Sequence, residues 1–224
     1  MTDEIVCGID EAGRGPVLGP LVICGVCFAK RDLDYLRKIG VKDSKKLSAK
    51  RRKELAKKIK DKCHSYHLLI VSAQEIDKRE EKRMSLNRLE EIKMAEIANK
   101  LKPEVLYLDA ADVNEKRFGE SIGKLLNYEL KEIVSKHRAD DLFPIVSAAS
   151  IIAKDKRDAV IEELAQEHGD LGSGYPSDER TITFLRKWIK TNKKAPPFCR
   201  KSWETTKKLL EEEVGNKKIT DYFK

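Results

Sequence analysis

No stretch of this chain is long and apolar enough to span a bilayer. Its longest apolar run, residues 16–29, is short and interrupted by Gly and Pro, whereas a membrane helix needs about 20 apolar residues. The opening residues, Met1-Thr2-Asp3-Glu4, are acidic and lack a signal-peptide layout. Five cysteines are an odd count and show no disulfide framework. Cys24 and Cys27 have CxxC spacing, but they lie in an apolar strand. Strand side chains alternate, so the two point to opposite faces and read as buried thiols. The four histidines (His64, His67, His137, His168) form no HxxxH pair and no zinc pattern. Repeats and low-complexity tracts are missing too. Together these absences argue against a membrane protein, a disulfide-stapled domain and a zinc protein. They lead us to expect a soluble, cytoplasmic protein; a monomer is a separate expectation that these absences do not decide.

Charge is what the chain has in abundance. Charged residues make up 38% of it, high for a globular protein. Lysine and arginine outnumber the acids by 46 to 38, a formal net charge of +8. That balance favours a polyanionic partner, nucleic acid before membrane. Residues 42–62 concentrate it, with eleven Lys/Arg against Asp43, Glu54 and Asp61. The loop at its start, residues 42–47, mixes hydroxyl and ammonium groups and suits phosphate oxygens. With 224 residues and 40% hydrophobic content, the chain fits one large domain or one domain with an appendage.

One stretch stands apart: Asp10-Glu11-Ala12-Gly13-Arg14-Gly15. The residues before it, Ile5-Val6-Cys7-Gly8-Ile9, are a short β-branched run that reads as a buried strand. The strand delivers two adjacent carboxylates to a glycine-flanked arginine turn. Paired acids at a strand end are costly to bury unless a cation neutralises them. Oxygen donors suit Mg²⁺ or Mn²⁺ better than zinc. Gly13 and Gly15 lack Cβ, so the backbone there can approach a ligand closely. Taken alone, the acid pair describes a solvated surface turn equally well.

Further along, residues 21–28 read as a second strand, antiparallel to the first. Ser48 is a suitable N-cap for a helix that turns Leu55, Ile59 and Cys63 inward. Residues 67–72 read as a third strand. Residues 86–101 read as a helix whose apolar face is broken by Glu90 and Lys93, ended by Pro103. Residues 104–109 read as a fourth strand with Asp109 at its C-terminal end, where ligand-binding groups gather in α/β sheets. A helix over 114–126, a fifth strand over 130–135 and a long helix over 145–167 follow. The small-residue start of that long helix can pack close to a sheet. A glycine-rich loop over 169–177 carries Tyr175 at its tip. A further helix turns Ile182, Leu185 and Ile189 inward, Pro196-Pro197 breaks it, and residues 203–214 close the folded part.

Six motifs, in order and at fitting distances, carry a resemblance that covers nearly the whole chain. They are residues 8–15, 42–47, Tyr107-Leu108-Asp109, Ala139-Asp140, residues 149–154 and Gly172-Ser173-Gly174-Tyr175-Pro176. This set resembles ribonuclease HII in its archaeal form. The resemblance implies an α/β, ribonuclease H-like fold: a mixed five-stranded sheet flanked by helices, with a C-terminal helical segment. It divides the chain into a catalytic domain over 1–168, a substrate-binding helical segment over 169–214 and a flexible tail over 215–224. Asp10, Glu11, Asp109 and Asp140 match the family's four acidic metal ligands. Asp141 adjoins the last of these, but counting back from Ala149-Ser150-Ile151 places the family's acid on Asp140 and leaves Asp141 as a solvated neighbour. Gly13, Arg14 and Gly15 match the turn whose backbone contacts a ribose 2′-hydroxyl. Tyr175 matches the tyrosine that stacks on the sugar beside the scissile ribonucleotide.

The implied activity is endonucleolytic cleavage of RNA in RNA–DNA hybrids, and cleavage on the 5′ side of ribonucleotides embedded in duplex DNA. The chemistry is consistent with the residues. Two divalent ions, Mg²⁺ or Mn²⁺, about 4 Å apart can hold an attacking water in line with the leaving 3′-oxygen. The products carry a 5′-phosphate and a 3′-hydroxyl. Specificity for RNA must come from the 2′-hydroxyl, which DNA lacks. Lys45, Lys46 and Lys154 would position the duplex through phosphates without reading sequence. Two rivals remain: a DNA nuclease or resolvase on the same fold, and a non-catalytic RNA–DNA hybrid-binding protein. Cleavage of all-DNA duplexes would favour the first. Binding that survives loss of the carboxylates, without metal-dependent turnover, would favour the second.

The tail has its own pattern. Ile219 is followed, after two polar residues, by Tyr222 and Phe223. The segment resembles the sliding-clamp-binding peptide (PCNA box), with Asn216 where glutamine is usual. One helical turn would bring the three apolar side chains onto one face. The competing expectation is docking on the enzyme's own helices.

Overall fold

The β-branched run at the start forms strand β1, Ile5–Ala12, and it lies at the centre of a five-stranded sheet. The other strands are β2 (Leu21–Ala29), β3 (Ser65–Val71), β4 (Val105–Asp109) and β5 (Glu132–Lys136), in the order β3-β2-β1-β4-β5. β1 runs antiparallel to β2 and parallel to β4, and β4 runs parallel to β5. The structure is a computed structural model and describes residues 3–41 and 47–215. Lys45 and Lys46, and Ile219, Tyr222 and Phe223 of the tail, lie outside the described residues.

The helices are α1 (Leu33–Lys38), α2 (Ala49–Lys62), α3 (Ala73–Glu81), α4 (Leu86–Leu101), α5 (Glu115–Gly123), α6 (Ala139–Leu142), α7 (Pro144–His168), α8 (Glu179–Asn192) and α9 (Glu204–Leu210). Ser48 caps α2 as its sequence implies, accepting from the Arg51 N–H at 3.3 Å. Sequence reading passes over α1 and α3. α3 buries only Ala73 and Ile76, too few apolar positions in a charged run to reveal a helical face.

The chain divides into two compact units. The first comprises Met1–Ala12, Val22–Ile70 and Met84–Asp158, and the second Gly13–Leu21, Val71–Arg83 and Ala159–Lys224. The first is built on the sheet. On one face Val22, Cys24, Val26 and Phe28 of β2 pack with Leu55 and Ile59 of α2 and with Val146, Ala149, Ile152 and Ala153 of α7. On the other, Ile97 and Leu101 of α4 lie over Gly25 of β2. Alternation separates the two thiols: Cys24 enters the first cluster, and Cys27 stands opposite Cys7 of β1. The untidy face of α4 has a local solution. Glu90 is buried, and so is its neighbour Glu91, which accepts from Arg88 at 2.7 Å and from the Ser121 hydroxyl at 2.6 Å.

The second unit has its own core of Val17, Leu18, Leu171, Leu185, Ile189, Cys199 and Leu209. Here the segment after the glycine-flanked turn pairs with a late one. The Arg200 N–H donates to Val17 O at 2.9 Å and the Gly19 N–H to Phe198 O at 2.9 Å. α3 is held in this unit by Asp77, whose carboxylate accepts from the backbone N–H groups of Lys201 and Ser202 at 2.8 and 3.0 Å.

Candidate active site

In the first unit, strand register does the placing. β1 and β4 are parallel, and their last paired residues are Ile9 and Leu108. The next residue on each strand is an acid, Asp10 and Asp109. Two carboxylates therefore stand side by side at the C-terminal ends of adjacent strands. Asp109 accepts the backbone N–H of Ala139 at 2.7 Å, which ties the start of α6 to the end of β4. Asp140 follows at once and is buried.

Helix α7 closes over the acids because Gly8 has no side chain. A Cβ there would lie 2.4 Å from the Ile145 carbonyl oxygen, so any other residue would push the helix away. At this approach the Ser150 hydroxyl donates to Asp10, and Lys154 is close enough to act on its charge. Ser150 and Lys154 are four residues apart and share one helix face. Lys154 is thus placed beside the acids.

Asp10 is nearly inaccessible, at 4% exposure. Its Oδ1 accepts the Glu11 N–H at 2.7 Å. Burial, and then the charge of Asp109, push its carboxyl up to about 7, against the pull of Ser150, the Glu11 N–H and Lys154. This is the electrostatic signature of carboxylates crowded for a cation. The donors are all oxygens and match a hard divalent ion. Among the described residues no three acid, imidazole or thiol side chains are already gathered as a metal cluster.

The two neighbouring acids on α6 differ in surroundings. Asp140 is 5% exposed. Asp141 turns outward to Arg138, which donates from Nε at 2.8 Å. Asp141 is therefore a surface ion-pair partner, not merely the solvated neighbour that its position suggests. We expect Asp140→Asn to reduce turnover at least about tenfold more than Asp141→Asn does. Steady-state rates of the two variants decide this, and equal rates would move the functional acid away from Asp140.

The second unit holds the turn and the tyrosine. Gly13 has φ +85°, a left-handed conformation open to glycine at little cost. A Cβ on Gly15 would lie 3.7 Å from Cε1 of Tyr175, so the tyrosine ring faces this glycine across the space a side chain would fill. The turn is held by a residue that sequence reading misses. Arg200 is fully buried, and its guanidinium donates to the carbonyls of Gly13, Arg14 and Gly19 at 2.5, 2.9 and 3.1 Å. Trp203 donates from Nε1 to Gly15 O at 3.2 Å. Its ring packs against the guanidinium carbons of Arg200 and Arg79, 4.9 and 5.0 Å from its centroid. Nothing marks Arg200 in the sequence, where it stands beside Lys201 in a chain rich in cations.

A mixed sheet in this order, with acids where β1 and β4 end and on the helix that follows β5, defines a ribonuclease H-like protein. The comparisons narrow this. The family model described as Ribonuclease HII matches residues 7–206. A ribonuclease HII of Methanocella arvoryzae is 51% identical over 206 residues, covering 92% of this chain and 91% of that protein. The crystal structure of ribonuclease H2 from Pyrococcus horikoshii matches with TM-score 0.89 and 45% identity, over 95% of this chain and 100% of that one. A PCNA:RNase HII complex from Archaeoglobus fulgidus matches with TM-score 0.82 and 43% identity, over 89% and 95% of the two chains. The chain belongs to the ribonuclease HII family. It is an endoribonuclease acting on RNA–DNA hybrids, and it depends on divalent metal. Among the described residues, no helix is long and apolar enough to cross a membrane.

Proposed function

We propose that Asp10, Glu11, Asp109 and Asp140 hold two divalent ions, Mg²⁺ or Mn²⁺. We propose further that the enzyme cuts on the 5′ side of single ribonucleotides in duplex DNA as well as in longer hybrids. Bound there, the ions would activate water and stabilise the leaving 3′-oxygen. The chain's own residues do the rest. Ser150 and the Glu11 N–H orient Asp10, and the Ala139 N–H orients Asp109. Lys154 balances part of the acids' charge and, with Lys45 and Lys46, positions phosphates. The backbone of Gly13, Arg14 and Gly15 senses the 2′-hydroxyl, and Tyr175 stacks on the neighbouring sugar. The residues over 169–214 bind substrate, and the enzyme works as a cytoplasmic monomer.

The observation that supports this reading most is the tyrosine ring facing Gly15. A sugar-stacking group and a 2′-hydroxyl-sensing backbone are thus available to adjacent nucleotides. The test is a DNA duplex with one ribonucleotide, incubated with Mg²⁺, Mn²⁺ or EDTA. We expect a product with the ribonucleotide at its 5′ end, and none in EDTA. Tyr175→Ala should lower kcat/KM on this duplex by about tenfold or more, as loss of a stacked contact worth about 1–3 kcal/mol implies. Undiminished cleavage by that variant would remove the stacking role. Cleavage of an all-DNA duplex would restore the resolvase reading. Turnover should also fall as salt rises, because lysine–phosphate contacts release counterions.

The tail is proposed as the clamp contact, through Ile219, Tyr222 and Phe223. A family member captured in a PCNA:RNase HII complex supports this. Burying each side chain could contribute about 1.5–3 kcal/mol before the ordering cost. Titration calorimetry against the organism's own clamp is the check. Tyr222→Ala with Phe223→Ala should weaken binding at least about tenfold, and unchanged affinity would place the contact elsewhere.

A further inference from the structure

Within the second unit, the peptide that precedes Tyr175 is held from both sides. The Gly174 carbonyl accepts two backbone donors, Val17 N–H at 2.8 Å and Leu18 N–H at 3.1 Å. Those donors follow directly on the glycine-flanked turn. The Gly174 N–H, on the opposite side of the residue, donates to the hydroxyl of Thr181 at 3.0 Å. Thr181 in turn donates to Leu171 O at 2.8 Å. A hydroxyl has one proton and can accept besides, and here it does both. Thr181 is fully buried in the first turn of α8. The body of the loop is tied to the same helix start, since the Ser173 N–H donates to Asp178 Oδ2 at 2.7 Å.

A neutral buried hydroxyl that joins two backbone groups of one loop does more than fill space. A valine of the same shape would pack equally well. It would leave the Gly174 N–H and Leu171 O without this bond, and unmade buried hydrogen bonds are costly. We propose that Thr181 is a positioning residue for catalysis: its hydroxyl fixes the Gly174 peptide, and so the placing of the Tyr175 ring opposite Gly15. Thr181 need not touch the substrate. It acts through the tyrosine, so this proposal rests on the stacking role argued above.

The test uses the full chain with Thr181→Val, Thr181→Ala and Thr181→Ser, each alone and with Tyr175→Ala. Substrate is the duplex with one ribonucleotide, and single-turnover rates separate kcat from KM. Misplacement of a reacting group by about 1 Å can cost about 100-fold. We expect Thr181→Val to lower kcat about tenfold or more with KM changed less than about threefold, and Thr181→Ser to restore most of the loss. With Tyr175→Ala already present, Thr181→Val should cost less than about twofold further. Amide hydrogen exchange over residues 170–178 supplies a readout independent of activity. It should quicken in Thr181→Val and Thr181→Ala and stay near wild type in Thr181→Ser. Unchanged exchange in both hydroxyl-free variants overturns the proposal. So does an equal kcat loss with and without the tyrosine ring, or a serine variant as impaired as the valine one. Quickened exchange together with a silent Tyr175→Ala would uphold the loop anchor and overturn the stacking role instead. If Thr181→Val fails to fold, the alanine and serine pair carries the same comparison.

Discussion

An Asp10→Asn protein is expected to lose at least about 10²–10³-fold in kcat, yet to melt at a higher temperature than wild type when metal is removed. The two effects have one origin. Asparagine keeps an oxygen to accept the Glu11 N–H, and its amide can donate to the Ser150 hydroxyl, so the local hydrogen bonds are largely replaced. What disappears is a buried negative charge facing Asp109. In the folded protein burial and the charge of Asp109 push that carboxyl up to about 7, from 3.8 for a free aspartate. Between those two values the folded state binds more protons than the unfolded one. Stability then falls as pH rises through this window and levels off above about 7. The substituted protein lacks that contribution. Thermal unfolding in EDTA at several pH values measures it directly, as the difference between the two proteins. The difference should be small at the acid end of the window and largest above it. A variant that melts below wild type throughout would mean that Asp10 is stabilised by partners stronger than its repulsion from Asp109. Metal affinity should also rise with pH over the same window, because binding displaces the Asp10 proton.

Replacement of Arg200 by methionine should be the most damaging change outside the acids. Its guanidinium binds three carbonyls of the 13–19 segment and is fully buried. Methionine fills similar space and leaves those carbonyls without their donors. Each unmade buried bond costs about 1–3 kcal/mol, so we expect a loss of about 3 kcal/mol or more. Activity on the single-ribonucleotide duplex should fall about 100-fold or more, since the turn proposed to meet the 2′-hydroxyl is no longer held. Arg200→Lys should recover little. An ammonium is a point donor and cannot span the fork of carbonyls that a planar guanidinium reaches. Denaturant unfolding and kcat/KM, measured on both variants, check this. Wild-type kinetics in a destabilised Arg200→Met protein would reduce Arg200 to a structural role.

The acids were readable because chemistry and pattern coincide at them. Asp10, Glu11 and Asp109 each end or closely follow an apolar strand run, and buried carboxylates at strand ends call for neutralisation. Helix caps and strand alternation were readable for the same local reason. Ser48 sits just before a helical period, and the faces of Cys24 and Cys27 follow from a two-residue repeat. α3 escaped because its two buried residues give no period. Its place is set instead by Asp77, which binds backbone groups more than a hundred residues away.

By itself the sequence determined the alternation of strands and helices, the acids at the strand ends, the flexible glycines of the turn and the basic character that suits a polyanion. These depend on neighbours within one turn or one strand, where spacing alone decides which side chains share a face. The tertiary structure decided which distant groups meet. It set β1 beside β4, so that the charge of Asp109 raises the cost of ionising Asp10. It brought Ile145 onto Gly8, so that Ser150 reaches Asp10. It buried Arg200 against the carbonyls of the turn, and Thr181 beneath the tyrosine loop. An arginine and a threonine of common type carry no mark of burial in the chain. Only the closing of backbone onto backbone leaves carbonyls and N–H groups there that must be satisfied, and that requirement gives these two residues their roles.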